Sequence, residues 1–171
     1  MSVIMSAQAI EKTLKSFAHY SGHAAAWLFI PLVLLTTAIA LLRYGFNFGD
    51  IAAQEAITYL HAFIITLGVG YTWRKDGHVR VDILYKKRSH KTRLLINLAG
   101  DLLLLMPVWL GVLLVSWEYA GTAWASLEGS REAGGLPLVF ILKSLIPAMA
   151  GLLLLQAVGN IIGHILKLKS L

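Results

Sequence analysis

The sequence predicts an all-α membrane protein with four transmembrane helices, short interfacial amphipathic helices and both termini cytoplasmic. Three observations predict it. First, 57% of the 171 residues are hydrophobic, the mean hydropathy is +0.70 and only 14% are charged, against about 25% charged in a soluble domain. Second, four apolar runs each approach the roughly 20 helical residues needed to cross a ~30 Å hydrocarbon core. Third, lysine and arginine are sorted to one side of those runs.

The whole chain, 1–171, reads as a single integral membrane domain. Over about 6–20, Ile10, Leu14 and Phe17 recur at helical spacing with Lys12 and Lys15 away from them, the pattern of a helix lying in the membrane interface. Gly22 marks a break before span one, about 24–42, and Gly45 a break after it. Span one follows a charged tail, and no small-residue cleavage site follows it, so it is expected to remain as a membrane span. Spans two, three and four cover about 54–73, 94–117 and 137–162. None alternates as a strand does, and each is too long for a buried strand. Trp73, Trp117, Trp124, Tyr44 and Tyr71 fall near span ends, as an aromatic belt requires. Pro31, Pro107 and Pro147 lie inside spans; each removes a backbone donor and is expected to bend its helix.

Between spans two and three, the block from Arg74 to Arg93 holds eight of the fifteen basic residues. Within it Val81, Leu84 and Tyr85 form a second short apolar stripe, with Lys86, Lys87 and Lys91 to meet headgroups. Adding Lys12, Lys15, Lys167 and Lys169 gives twelve basic residues on one side, against Arg43, Arg131 and Lys143 on the other. In loops this short, that asymmetry places the basic side and both termini in the cytoplasm. The loops around Asn47 and Gly129 then face the periplasm or exterior. The net charge of +6 is thereby assigned to orientation and to anionic membrane lipids, not to nucleic acid, because no basic stripe with interleaved aromatics lies on a soluble module.

Polar residues inside the spans are few. Asp101 lies seven residues into span three, about 10 Å deep at ~1.5 Å per residue, where a charged carboxylate costs on the order of 3 kcal/mol on insertion scales. Gln156 and Asn160 on span four come from a similar depth, so Asp101 is expected to bond such amides and pack the bundle; an ion or proton site and contact with a partner subunit are the alternatives. Glu55 opens span two, where the helix dipole favours a carboxylate; pairing with Arg43 across the short connection is the sharper reading. Lys143 lies six residues into span four, within reach of Glu118 or Glu128 by snorkelling. Gly159 and Gly163 form a G-x-x-x-G that permits close helix approach.

The chemistry the chain lacks narrows the function. It has no cysteine, which excludes disulfides and thiol chemistry. No Ser-His-Asp set, H-E-x-x-H or phosphate-cradling glycine loop is present, and no enzymatic activity is expected. The spans lack the acidic clusters or paired broken helices of a self-sufficient ion-coupled transporter. Two facing histidines can ligate haem, but His61 lies mid-span while His23 and His164 lie near span ends. His61 is therefore read as a packing histidine with a hydroxyl or carbonyl partner, and no cofactor is expected. A membrane anchor for a redox complex, holding haem or quinone, remains the alternative to a subunit of a larger transporter.

An ordered series of residues supports the transporter. Leu42-Arg43-Tyr44 ends span one; Gln54-Glu55 opens span two, followed by Tyr59-Leu60-His61-Ala62. The run from Tyr71 to Ile83 contains Asp76-Gly77-His78-Val79-Arg80-Val81-Asp82. Then come Trp124 to Ser130, Gly134-Gly135-Leu136-Pro137 and Lys143-Ser144-Leu145-Ile146-Pro147. Over roughly residues 20–165 this resembles the small membrane subunit, of DctQ type, of tripartite ATP-independent periplasmic (TRAP) transporters. The resemblance implies a three-part importer of organic acids in a bacterial or archaeal cytoplasmic (inner) membrane. A periplasmic substrate-binding protein captures the carboxylate, and a large permease subunit carries the substrate and sodium sites. The small subunit braces the fixed scaffold of the large one, and its outer face is expected to help dock the binding protein. On this view Arg43, Glu55, Asp76, His78, Arg80 and Asp82 shape the ends of span two and its turn. Glu128, Ser130 and Lys143 organise the outer face. Local fold maintenance and direct subunit contact are both open for each.

Overall fold

Helix α1 runs unbroken from Ser2 to Phe46, so the amphipathic N-terminal segment and the first span are one element. The computed structural model describes residues 2–74 and 88–170, with side chains from Tyr20 onward except at Trp73 and Arg74. The expected break at Gly22 is absent, and the reason is packing: a Cβ at Gly22 would overlap the Tyr71 ring. The glycine admits a neighbouring helix instead of ending its own.

Asn47 adopts a left-handed conformation at φ 51°, which asparagine tolerates better than most residues, and the Phe48 N–H closes on the Leu42 carbonyl at 3.1 Å. The helix therefore ends one residue after Gly45. Asp50 starts α2 (Ile51–Arg74) as its N-cap, accepting the Ala53 N–H at 2.7 Å. The tight turn sends α2 back along α1.

The third span is continuous from His90 to Ala125. It begins as α3 (His90–Gly100), capped by Ser89 accepting from the Thr92 N–H at 3.3 Å. It widens to a π-helical turn over Asp101–Leu105 and resumes as α4 (Met106–Ala125). Pro107 accounts for the widening: it offers no N–H, and its ring crowds the carbonyl four residues back. The Met106 N–H accordingly reaches the Asp101 carbonyl, five residues back. After an irregular loop, α5 (Val139–Lys169) returns across the bundle and continues through Pro147. No strand occurs among the described residues.

The helices pack α1 on α2 and α4 on α5, with α5 also contacting α1, α2 and α3. Small residues permit the close approach: Ala120 and Ala123 are buried on α4, and Ala150, Leu153, Ala157 and Gly159 on α5. A third of the apolar window of the fourth span (33%) is buried within the chain, against 6% for the first and third. Helix α5 is therefore the hub. Trp27, Val33, Leu103, Leu114, Val115 and Trp117 are largely exposed, so the outer surface suits hydrocarbon. All four spans are long and apolar enough to cross a membrane, and the chain is a multi-pass membrane protein. The stripe at Val81, Leu84 and Tyr85 lies outside the described residues.

Candidate functional site: the latch at one end and the polar pair at the other

The loop between α4 and α5 folds over the start of α2. Glu55, in the second turn of α2, accepts a hydrogen bond from the Ser130 hydroxyl on one carboxylate oxygen and from the Leu136 N–H at 2.7 Å on the other. The loop is shaped to deliver both donors. Ser130 N–H bonds the Leu136 carbonyl at 2.9 Å, and Ser130 Oγ accepts from the Glu132 N–H at 3.1 Å. Gly134 sits at φ +83°, where a side chain would be strained. A Cβ on Gly135 would press into Ser130 and stand 2.9 Å from the Glu55 carboxylate. The two glycines thus let the loop backbone close over a carboxylate. The same contact shows that the 47–50 turn and the 126–138 loop share one end of the bundle.

A second pair fastens the loop to α5. Lys143 Nζ lies 2.6 Å from Glu128 Oε2 and 4.1 Å from the centre of the Tyr119 ring. The ammonium therefore has a carboxylate and an aromatic face as neighbours. One turn away, Trp124 Nε1 donates to Ser144 Oγ at 2.7 Å, and the Trp124 and Phe140 rings meet edge-on at 4.5 Å. A shallow groove of about 350 Å³ opens here between Val115, Tyr119, Thr122, Glu128 and Lys143.

At the opposite end, Asp101 is buried at the head of the π-helical turn. The expected amide partners do not take its carboxylate: Gln156 donates to Asn160 Oδ1 at 3.1 Å within α5. The neighbour is His164, one helical turn beyond Asn160, with Nδ1 3.3 Å from Asp101 Oδ2. The two atoms are close but not aligned as a hydrogen bond.

The remaining expectations fall as follows. Arg43 is exposed in the last turn of α1. No ion pair joins it to Glu55 among the described residues, because the loop donors occupy that carboxylate. His61 is exposed on α2 and has no hydroxyl or carbonyl partner among the described residues, contrary to the packing role expected. His23 meets Tyr71 edge-on at 6.2 Å. His78, Arg80 and Asp82, with Asp76, lie outside the described residues. Sequence reasoning missed Gly135, the Leu136 N–H, Tyr119 and His164 as site elements. Only the glycine pair carried a local signal; the others are defined by which helices become neighbours.

A bundle of four long helices with largely apolar outer flanks belongs to the class of multi-pass membrane proteins. Across residues 1–167 the chain matches the family model described as tripartite ATP-independent periplasmic transporters, DctQ component. It belongs to that family. Over 101 residues it is also 27% identical to a Haemophilus influenzae protein named "Putative TRAP transporter small permease protein". The match takes in 57% of this chain and 63% of that relative's length. No solved structure matches.

Proposed function

We propose that this chain is the small scaffold and anchor subunit of a sodium-coupled TRAP importer of organic acids, working with a large permease subunit and a periplasmic substrate-binding protein. It sits in the cytoplasmic membrane with the basic 74–93 block and both termini inside, as the distribution of lysine and arginine favours. The latch end then faces the periplasm, where a binding protein docks. Sodium and substrate are held by the large subunit.

The observation that supports this reading is the close, largely apolar packing of the described helices against one another. Their shared core is closed by Ala120, Ala123, Ala150, Leu153 and Ala157. The polar pairs sit at opposite ends of the bundle. Thr66, Ser116 and Gln156 are also buried, but Ser116 bonds the Leu113 carbonyl of its own helix and Gln156 bonds Asn160, so among the described residues no continuous polar chain joins the two ends. A carrier needs such a link; a brace does not. The redox-anchor alternative is disfavoured because His23, His61 and His164 have separate surroundings: an aromatic ring, the outer surface and a carboxylate.

Uptake into proteoliposomes tests the proposal. The chain alone should move no carboxylate. With the large permease subunit and binding protein it should support sodium-dependent uptake, and exchanging those two partners for another set should change the substrate. Uptake by the chain alone, or a substrate that follows this chain, would overturn the proposal.

A further inference from the structure

One face of α2 is out of keeping with the rest of the surface. Gln54, Thr58, His61 and Ile65 are all exposed. Their spacing of four, three and four places them in one narrow row, the seam along which two helices pack. His61 stands ten residues from the start of α2, about 15 Å along the axis and so near the middle of a ~30 Å hydrocarbon core. Thr58 lies one turn above it and Gln54 another.

None of these three side chains has a hydrogen-bond partner among the described residues. Elsewhere the exposed mid-span faces are apolar, as at Val33 on α1 and Leu114 on α4. The exceptions on α1 are two adjacent hydroxyls: Thr36, which donates to the Leu32 carbonyl at 2.7 Å, and Thr37, which like any helical threonine has a backbone carbonyl of its own helix within reach. An imidazole has no such recourse, and an ionisable residue at this depth faces protein or water instead of lipid.

We infer that the Gln54–Thr58–His61–Ile65 row is the seam at which a transmembrane helix of the large permease subunit docks, with His61 hydrogen-bonded to a polar group on that helix. The inference rests on the subunit reading above and adds to it the helix and the face. The occupant is a membrane-embedded helix because the row runs along the bilayer normal and ends apolar, at Ile65. Polar side chains are the usual means of joining helices where the surrounding lipid gives no hydrophobic drive.

The chain's lack of cysteine makes the test direct. Thr58→Cys and Ile65→Cys, with Val33→Cys and Leu114→Cys as lipid-facing controls, are co-expressed with the large permease subunit and labelled in membranes with a benzophenone maleimide. Illumination should join the first two variants to the large subunit and the controls to lipid only. Adducts from Val33→Cys or Leu114→Cys, with positions 58 and 65 silent, would overturn the face while leaving the subunit reading intact. Adducts between two copies of this chain through 58 and 65 would overturn the choice of occupant. Failure of every variant and of the unmodified chain to co-purify with the large subunit would remove the subunit reading and the inference together. His61→Leu supplies a second measurement. It suits lipid better than histidine, yet co-purification should fall about threefold, with recovery in His61→Gln. Unchanged recovery of the large subunit by His61→Leu would overturn the hydrogen bond.

Discussion

The Glu55 carboxylate and the Ser130 hydroxyl, 75 positions apart in the chain, are joined by a hydrogen bond that closes one end of the bundle. With the Leu136 N–H on the other oxygen, the carboxylate ties α2 to the α4–α5 loop. Without it the loop would be held to the bundle by α4 and α5 alone.

Glu55→Ala should therefore free the loop and lower stability by about 1–3 kcal/mol, the penalty for leaving partly buried donors unmatched. Ser130→Ala removes one donor and should cost about 1 kcal/mol. Thermal unfolding in mild detergent gives the order of the two, and limited proteolysis within 126–138 gives the location. Equal resistance to cleavage in Glu55→Ala and the parent chain would show that the latch does not hold the loop.

Gly135→Ala should resemble Glu55→Ala, because its methyl group would occupy the space of Ser130 and the carboxylate. Overpacking of this kind costs about 1–3 kcal/mol. Gly22→Ala should be harmful for a different reason, by pushing α1 off the Tyr71 ring. Pairing it with Tyr71→Ala should restore part of the lost melting temperature, and no recovery in the double variant would refute the contact.

Lys143 and Glu128 are both partly exposed. Their coupling in a double-mutant cycle should accordingly be modest, about 0.2–1 kcal/mol. Exchanging the two residues should retain more stability than reversing either charge alone. A coupling of zero would leave Lys143 held by Tyr119 and not by Glu128.

Asp101→Ala should destabilise its end of the bundle by about 1–3 kcal/mol, because the His164 imidazole would lose the carboxylate beside it in a water-poor setting. Replacing both residues by leucine should recover much of that loss, since an apolar pair of similar volume often matches a buried polar one. Transport by the assembled complex should survive in the double variant. Loss of transport from a stable double-leucine complex would instead assign the pair to ion or proton movement.

Four spans, their order and the sharing of one end by the Asn47 and Gly129 loops were legible because length and apolar runs report directly on membrane crossing. That Lys143 would meet Glu118 or Glu128 was legible too, since a snorkelling lysine reaches only the carboxylates near its own span end; the fold chooses Glu128. The partner of Asp101 was not. Depth pointed to Gln156 and Asn160, but those amides bond each other along one helix, and the π-helical turn below Pro107 changes the direction in which Asp101 faces. The Arg43–Glu55 pairing failed for a related reason: nearness in sequence suggested a cation, while the folded loop delivers neutral donors from far along the chain. Gly22 was misread because glycine both breaks helices and admits close neighbours, and only the position of Tyr71 decides between the two.

The thin cover on α1 and on the third span has a consequence for the cell. A polypeptide with most of two helices uncommitted presents the same surface that membrane quality control recognises in an unassembled orphan. Its lifetime should then follow the supply of its companion, so that synthesis without the rest of the transporter ends in proteolysis and stoichiometry is enforced after translation.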